Sequence, residues 1–243
     1  MALADEIERI RDRTLSALDA SHDSFEDTKV AWRIVRNSIT AGEKFRLVND
    51  ATGTTTTEVE LAARSAGYVT LQLTEATFQQ FLAIFEAFFF DLLQAWLMAY
   101  PQNLGGKKLD FKAVLEAEDK EALTRMVVAR EVNELSYERP AGWFVYLETR
   151  ANLGLPSAEQ IARFAGAKAT RDALVNSQGV VGSTYLAKAG PLARFDRGDR
   201  VEVPEPYHRA IWELLKEMVA SLSNAALGKL GQPDLDPRSG RTA

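Results

Sequence analysis

The run "RDALVNSQGVVG", Arg171 to Gly182, sets an arginine five residues ahead of an amide side chain, Asn176, and then turns through glycine. An arginine can hold an oxyanion through a planar fork of N–H donors, and an amide can hydrogen-bond a phosphate or a hydroxyl. Neither group titrates near neutral pH, so the pair can bind and polarise but cannot carry a proton. Five positions on a regular helix turn through about 140°, so Arg171 and Asn176 border one cleft only where the helix end faces a partner surface. Asp172, Ser177, Gln178 and Tyr185 add polar atoms to the same neighbourhood, and Lys168 adds a cation one turn earlier.

Composition limits what else these residues could do. The chain has no cysteine, which excludes disulfides, thiolate catalysis and cysteine-based zinc sites. His22 and His208 are its two histidines, too few for a multi-histidine metal site, and no cofactor is implied. His208, in "EPYHRAIW", is the one imidazole that a fold could bring back to the motif as a substitute base; Asp172 and Tyr185 are nearer in sequence. The ordinary readings are plainer: a histidine at a helix start is a surface or capping residue, and Arg171 forms a salt bridge with Glu159, Asp172 or a carboxylate of another helix.

The formal charge of -5 argues against coating nucleic acid through the overall field. Charge is nevertheless uneven: residues 159–200 hold seven cations against four carboxylates, a balance that suits a phosphate backbone or an acidic protein partner. The opening "MALADEIERIRDRT" alternates acid and base and lacks the apolar stretch of a signal peptide, which leads to the expectation of a cytoplasmic protein.

The elements that must position the motif read as mainly α. Residues 3–40 carry apolar side chains at helical intervals, with a break expected near "DASHDS". Residues 81–100, "FLAIFEAFFFDLLQAWLMAY", could span a bilayer by length, but Glu86, Asp91 and Gln94 trace a polar stripe that favours a buried central helix and no membrane. The threonine- and valine-rich stretch 52–73 is read as a short β-hairpin or extended insertion. A helix is expected from Asp110 to before Pro140, and a shorter one over "AGWFVYLETRANLGL" that exits at Gly154.

Ser157 opens the motif helix as a cap, with Glu159 and Gln160 in the first turn, and Gly179 stops it. A connection follows with a helical piece near Thr184–Ala189 and an extended one at Val201–Val203, then an amphipathic helix from Glu205. The small side chains Ala165, Gly166, Ala167, Ala169 and Ala173 suit close helix approach, either inside one subunit or across a two-fold axis. One domain over residues 1–230 is the economical division, with 1–70 as a helical extension, 75–228 as core and 231–243 as a flexible tail.

Read as a whole, "RDALVNSQGVVGSTYLAKAG" resembles the signature of the HEPN superfamily, in the RiboL-PSP-HEPN branch. Arg171 to Val175, Ser177 to Val181, Tyr185 and Leu186 follow the pattern in order. Upstream, Phe85, Glu86, Phe88, Asp91, Leu92, Leu93 and Pro101 are similar to the family's long central helix. The resemblance covers most of residues 75–190 and none of the first 70. It implies a helical bundle, a two-fold homodimer with Arg171 and Asn176 near the axis, and a defence or toxin-antitoxin setting.

Active members of that family are metal-independent ribonucleases whose motif histidine moves a proton while the arginine steadies phosphate charge. Asn176 stands in the histidine's place. The resemblance therefore implies a catalytically degenerate member that binds RNA or regulates a partner, with Arg171, Lys168, Ser177, Gln178 and Tyr185 near the phosphate. A metal-independent endoribonuclease using a substitute base is the alternative, and a protein-interaction scaffold the second.

Overall fold

In the computed structural model, which describes residues 2–44, 46–105, 114, 117–154 and 156–231, the chain is mainly helical. Its organising element is α3, Thr74–Ala99, where phenylalanines at 78, 81, 85, 88 and 89 recur at helical spacing and are all buried. By length and composition α3 could cross a membrane. Here it is the central helix, packed against α1 (Leu3–Thr40), α4 (Lys120–Ser136), α6 (Ala158–Asn176) and α8 (Glu205–Leu230).

α1 runs unbroken through "DASHDS". That stretch holds neither proline nor glycine, so the hydrogen-bond ladder continues. Ser21 within it faces the core and donates to Gln80 of α3 at 3.0 Å, and Phe25 just beyond it is buried. Ile7, Ile10 and Leu18 belong to the same apolar cluster as Phe85 and Leu215, so the first half of α1 is part of the core rather than an extension of it. α8 lies antiparallel to α1, as the pairs Lys29–Glu205 at 2.6 Å and Asp19–Lys216 at 2.6 Å require.

The insertion expected over 52–73 proves smaller and earlier. β1 (Leu47–Val48) and β2 (Thr55–Thr56) pair antiparallel, with Leu47 opposite Thr56. Asn49 Oδ1 accepts from the N–H groups of Ala51 and Thr52, and Gly53 takes φ +67, which closes the turn. Beyond Thr56 the chain is helical: α2, Glu58–Gly67, passes through a π-helical stretch, Tyr68–Leu73, into α3. The signal outweighed by the threonine content is the capping box Thr57 to Glu60, followed by Leu61 and Ser65 buried one turn apart.

A 3₁₀ turn, Pro101–Leu104, ends α3. α4 begins at Lys120 behind an Asp119 cap, so the expected helix start at Asp110 and the stretch behind it fall largely outside the described residues, as does the tail 232–243. α5, Pro140–Ala151, leaves the helix at Asn152 with φ +50, two residues before Gly154. α7, Ser183–Ala189, is the helical piece expected near Thr184.

Candidate functional site

α6 is fixed at its start by a reciprocal capping box: Ser157 Oγ accepts from the Gln160 N–H, and the Gln160 side chain accepts from the Ser157 N–H. At its end the Ala173 carbonyl accepts from the N–H groups of both Ser177 and Gly179. Gln178 at φ +52 and Gly179 at φ +79 then reverse the chain, so Val180 bridges antiparallel to Arg200 and Val181 N–H reaches the Asp199 carbonyl at 2.9 Å.

The reversal lays α7 against α6 over a second small core of Ala169, Ala173, Val181, Tyr185, Ala189 and Val201. Ala167 packs in the main core, and Gly166 is buried too. Ala167, Ala169 and Ala173 thus allow close packing within the chain.

Between α6 and α7 lies a groove of about 250 Å³. Asp172, Asn176, Ser177, Tyr185 and Lys188 line it. Asn176, Ser177 and Gln178 are exposed, whereas Tyr185 is buried and its phenol oxygen accepts the Arg194 N–H at 3.2 Å.

Arg171 does not line this groove. Its guanidinium donates to Asp172 Oδ1 at 3.0 Å and Glu86 Oε2 at 3.4 Å. Lys168 Nζ binds the other Glu86 oxygen at 2.7 Å and stands 5.1 Å from the Trp143 ring centroid. Lys188 Nζ completes the chain of charges at 2.7 Å from Asp172 Oδ2. Burial raises the Asp172 pKa, but the bonds from Lys188 and Arg171 and the Lys168 charge outweigh it, so the carboxyl lies below its ordinary value. The ordinary reading of Arg171 as a salt-bridge residue is therefore met.

His208 is enclosed elsewhere, among α1, α3 and α8. It is 0 % exposed, its Nε2 pairs with Thr77 Oγ1 at 2.8 Å, and the rings of Phe25 and Phe81 lie 4.4 and 4.7 Å away. His22 stacks on Trp212 at 4.1 Å in the same cluster. The expectation that His208 folds back to the motif, or caps a helix at the surface, is overturned, because the bulky apolar faces of three helices close over it. Burial, together with the nearby His22, lowers its pKa to about 4.

Two contributors were not assigned to the site from the sequence. Glu86 carries its own signal: a carboxylate inside the most apolar helix needs a cation. Lys188 falls one turn after Tyr185 on a helix too short for periodicity to orient.

No family model, curated protein or solved structure matches the chain.

Proposed function

We propose that this chain is an HEPN-like module that holds RNA without cutting it, or regulates a partner through the same groove. The observation that carries the reading is that Asn176 opens onto the α6–α7 groove while both histidines lie in the α1–α3–α8 cluster. Around Asn176 the hydrogen-bonding groups include Ser177, Ser183, Thr184 and Lys188, which suit phosphate and hydroxyl oxygens, with the Asp172 carboxylate held by Lys188. Lys188 lines the groove where Arg171 and Lys168 do not, and although paired with Asp172 at 2.7 Å its side chain is 36 % exposed, so it is the cation that a phosphate reaches first.

An imidazole at this position would supply general acid–base help worth about 100- to 10,000-fold in rate. Its absence fits binding better than turnover. The fuller setting of the proposal is a cytoplasmic homodimer in a defence or toxin-antitoxin context, with no membrane and no metal.

The test is cleavage of a mixed RNA substrate without added metal, by wild type beside Asn176→His. Cleavage by Asn176→His alone, with RNA bound by both, is the expected outcome. Cleavage by the wild type defeats the degenerate reading, and failure of both proteins to bind RNA defeats the RNA reading altogether.

A further inference from the structure

A second cavity, of about 290 Å³, lies nearer the start of α6, away from Asn176. Arg163 and Gly166 of α6, Leu192, Arg194, and Tyr207 and Ile211 of α8 line it. Its volume is just below the range of about 300–1,000 Å³ typical of small-molecule sites.

Two features set it apart from an accidental crevice. First, it holds two guanidiniums and no carboxylate among its lining residues. Arg163 donates to the Ala210 carbonyl at 3.3 Å, and Arg194 stands over Tyr207, its Cζ 3.6 Å from the ring centroid. Neither forms an ion pair among the described residues. The neighbouring carboxylate of Glu205 is already engaged, by Lys29 at 2.6 Å and Arg209 at 3.6 Å. Both forks therefore keep N–H groups for an oxyanion.

Second, the floor is hollowed at Gly166, in the interior of α6. A Cβ built there meets nothing nearer than the Leu192 carbonyl at 3.9 Å, which is ordinary contact. Alanine would fit and would favour the helix, so the missing methyl serves neither backbone conformation nor close packing. What it leaves is room beside Ile211 and the exposed Leu192.

We propose that this cavity binds a small ligand with an oxyanion on a flat unsaturated ring system, the class to which nucleoside monophosphates belong. The two guanidiniums take the anion. The exposed Leu192, beside buried Gly166 and Ile211, takes the ring. The site does not depend on what the Asn176 groove holds.

The test is calorimetric titration of the full chain with AMP, with adenosine, and with inorganic phosphate. Saturable AMP binding is expected, with adenosine and phosphate each at least about tenfold weaker, since each lacks one half of the recognised ligand. Arg163→Ala and Arg194→Ala should each weaken AMP by about tenfold or more. Gly166→Leu, which fills the floor and leaves both cations, should abolish it; where that variant fails to fold, the two arginine variants decide. Asn176→Ala should bind AMP as the wild type does. The proposal is overturned by absence of saturable AMP binding, by phosphate or adenosine binding as tightly as AMP, or by indifference to both arginine variants. Loss of AMP binding in Asn176→Ala would place the ligand in the groove, and overturns it equally.

Discussion

The guanidinium of Arg171 lies 3.4 Å from Oε2 of Glu86, a carboxylate set in the middle of the aromatic helix α3. Glu86 also takes Lys168 at 2.7 Å, so one carboxylate serves two cations, and Asp172 supplies the second negative charge. All four side chains are at least three-quarters covered, which makes the network costly to open by removing a single member. Glu86→Gln should therefore lower stability by about 1–3 kcal/mol, read by urea unfolding. It should also tighten RNA binding and steepen its salt dependence, because two cations lose their internal partner. Unchanged stability in this variant would mean that the pairs are not held in solution.

Lys188 and Arg171 should behave differently although both bind Asp172. Lys188 lines the groove and Arg171 does not. Lys188→Ala is expected to weaken RNA binding and to reduce the slope of log affinity against log salt by about 0.7, the value for one phosphate contact on a single strand. Arg171→Ala is expected to act mainly on stability, with the smaller effect on RNA. The reverse order in a salt titration would place the motif arginine on the phosphate after all.

The helix that presents the motif rests on its cap. Ser157→Ala removes the acceptor for the Gln160 N–H and should cost about 1 kcal/mol in thermal or urea unfolding. Asn176 stands at the far end of α6, so RNA affinity of the folded protein should not change. A loss of RNA affinity greater than about twofold would indicate that fraying at the cap reaches the groove.

Much of this fold was legible where one strong local signal acted alone. Phe78 to Leu97 recur at helical spacing, and Ser157 with Gln160 forms the box that its spacing predicts. The stretch 52–73 went the other way because two signals competed there. Threonine content favoured strand, the Thr57–Glu60 box favoured helix, and the helix continued into α3. At the site, the sequence located the polar end of α6 but not the direction of its side chains. Whether Arg171 faces a groove or Glu86 depends on where α3 passes, a contact 85 residues away in the chain. His208 shows the same limit, since its burial follows from the approach of α1 and α3 and not from its neighbours in "EPYHRAIW".

That burial makes His208 a source of acid sensitivity. The imidazole faces Thr77 and Phe81 from α3, Phe25 and His22 from α1, and Trp212 lies against His22. The charged groups around it are Glu205 and Arg209 on α8 and Lys29 on α1. Desolvation, with the like charge of His22, lowers its pKa to about 4, against about 6.5 for a free imidazole. Between those values the unfolded chain binds a proton that the folded chain refuses. Stability is therefore undiminished above about pH 6.5 and falls as the pH drops toward 4, by about 3 kcal/mol for this group. His208→Gln keeps a neutral partner for Thr77 and cannot titrate. Urea unfolding at about pH 7 and about pH 4.5 should show the wild type losing roughly 2–3 kcal/mol more than the variant over that interval. Parallel losses in the two proteins would mean that His208 is protonated in the folded chain, and that the aromatic cluster opens readily enough to admit the charge.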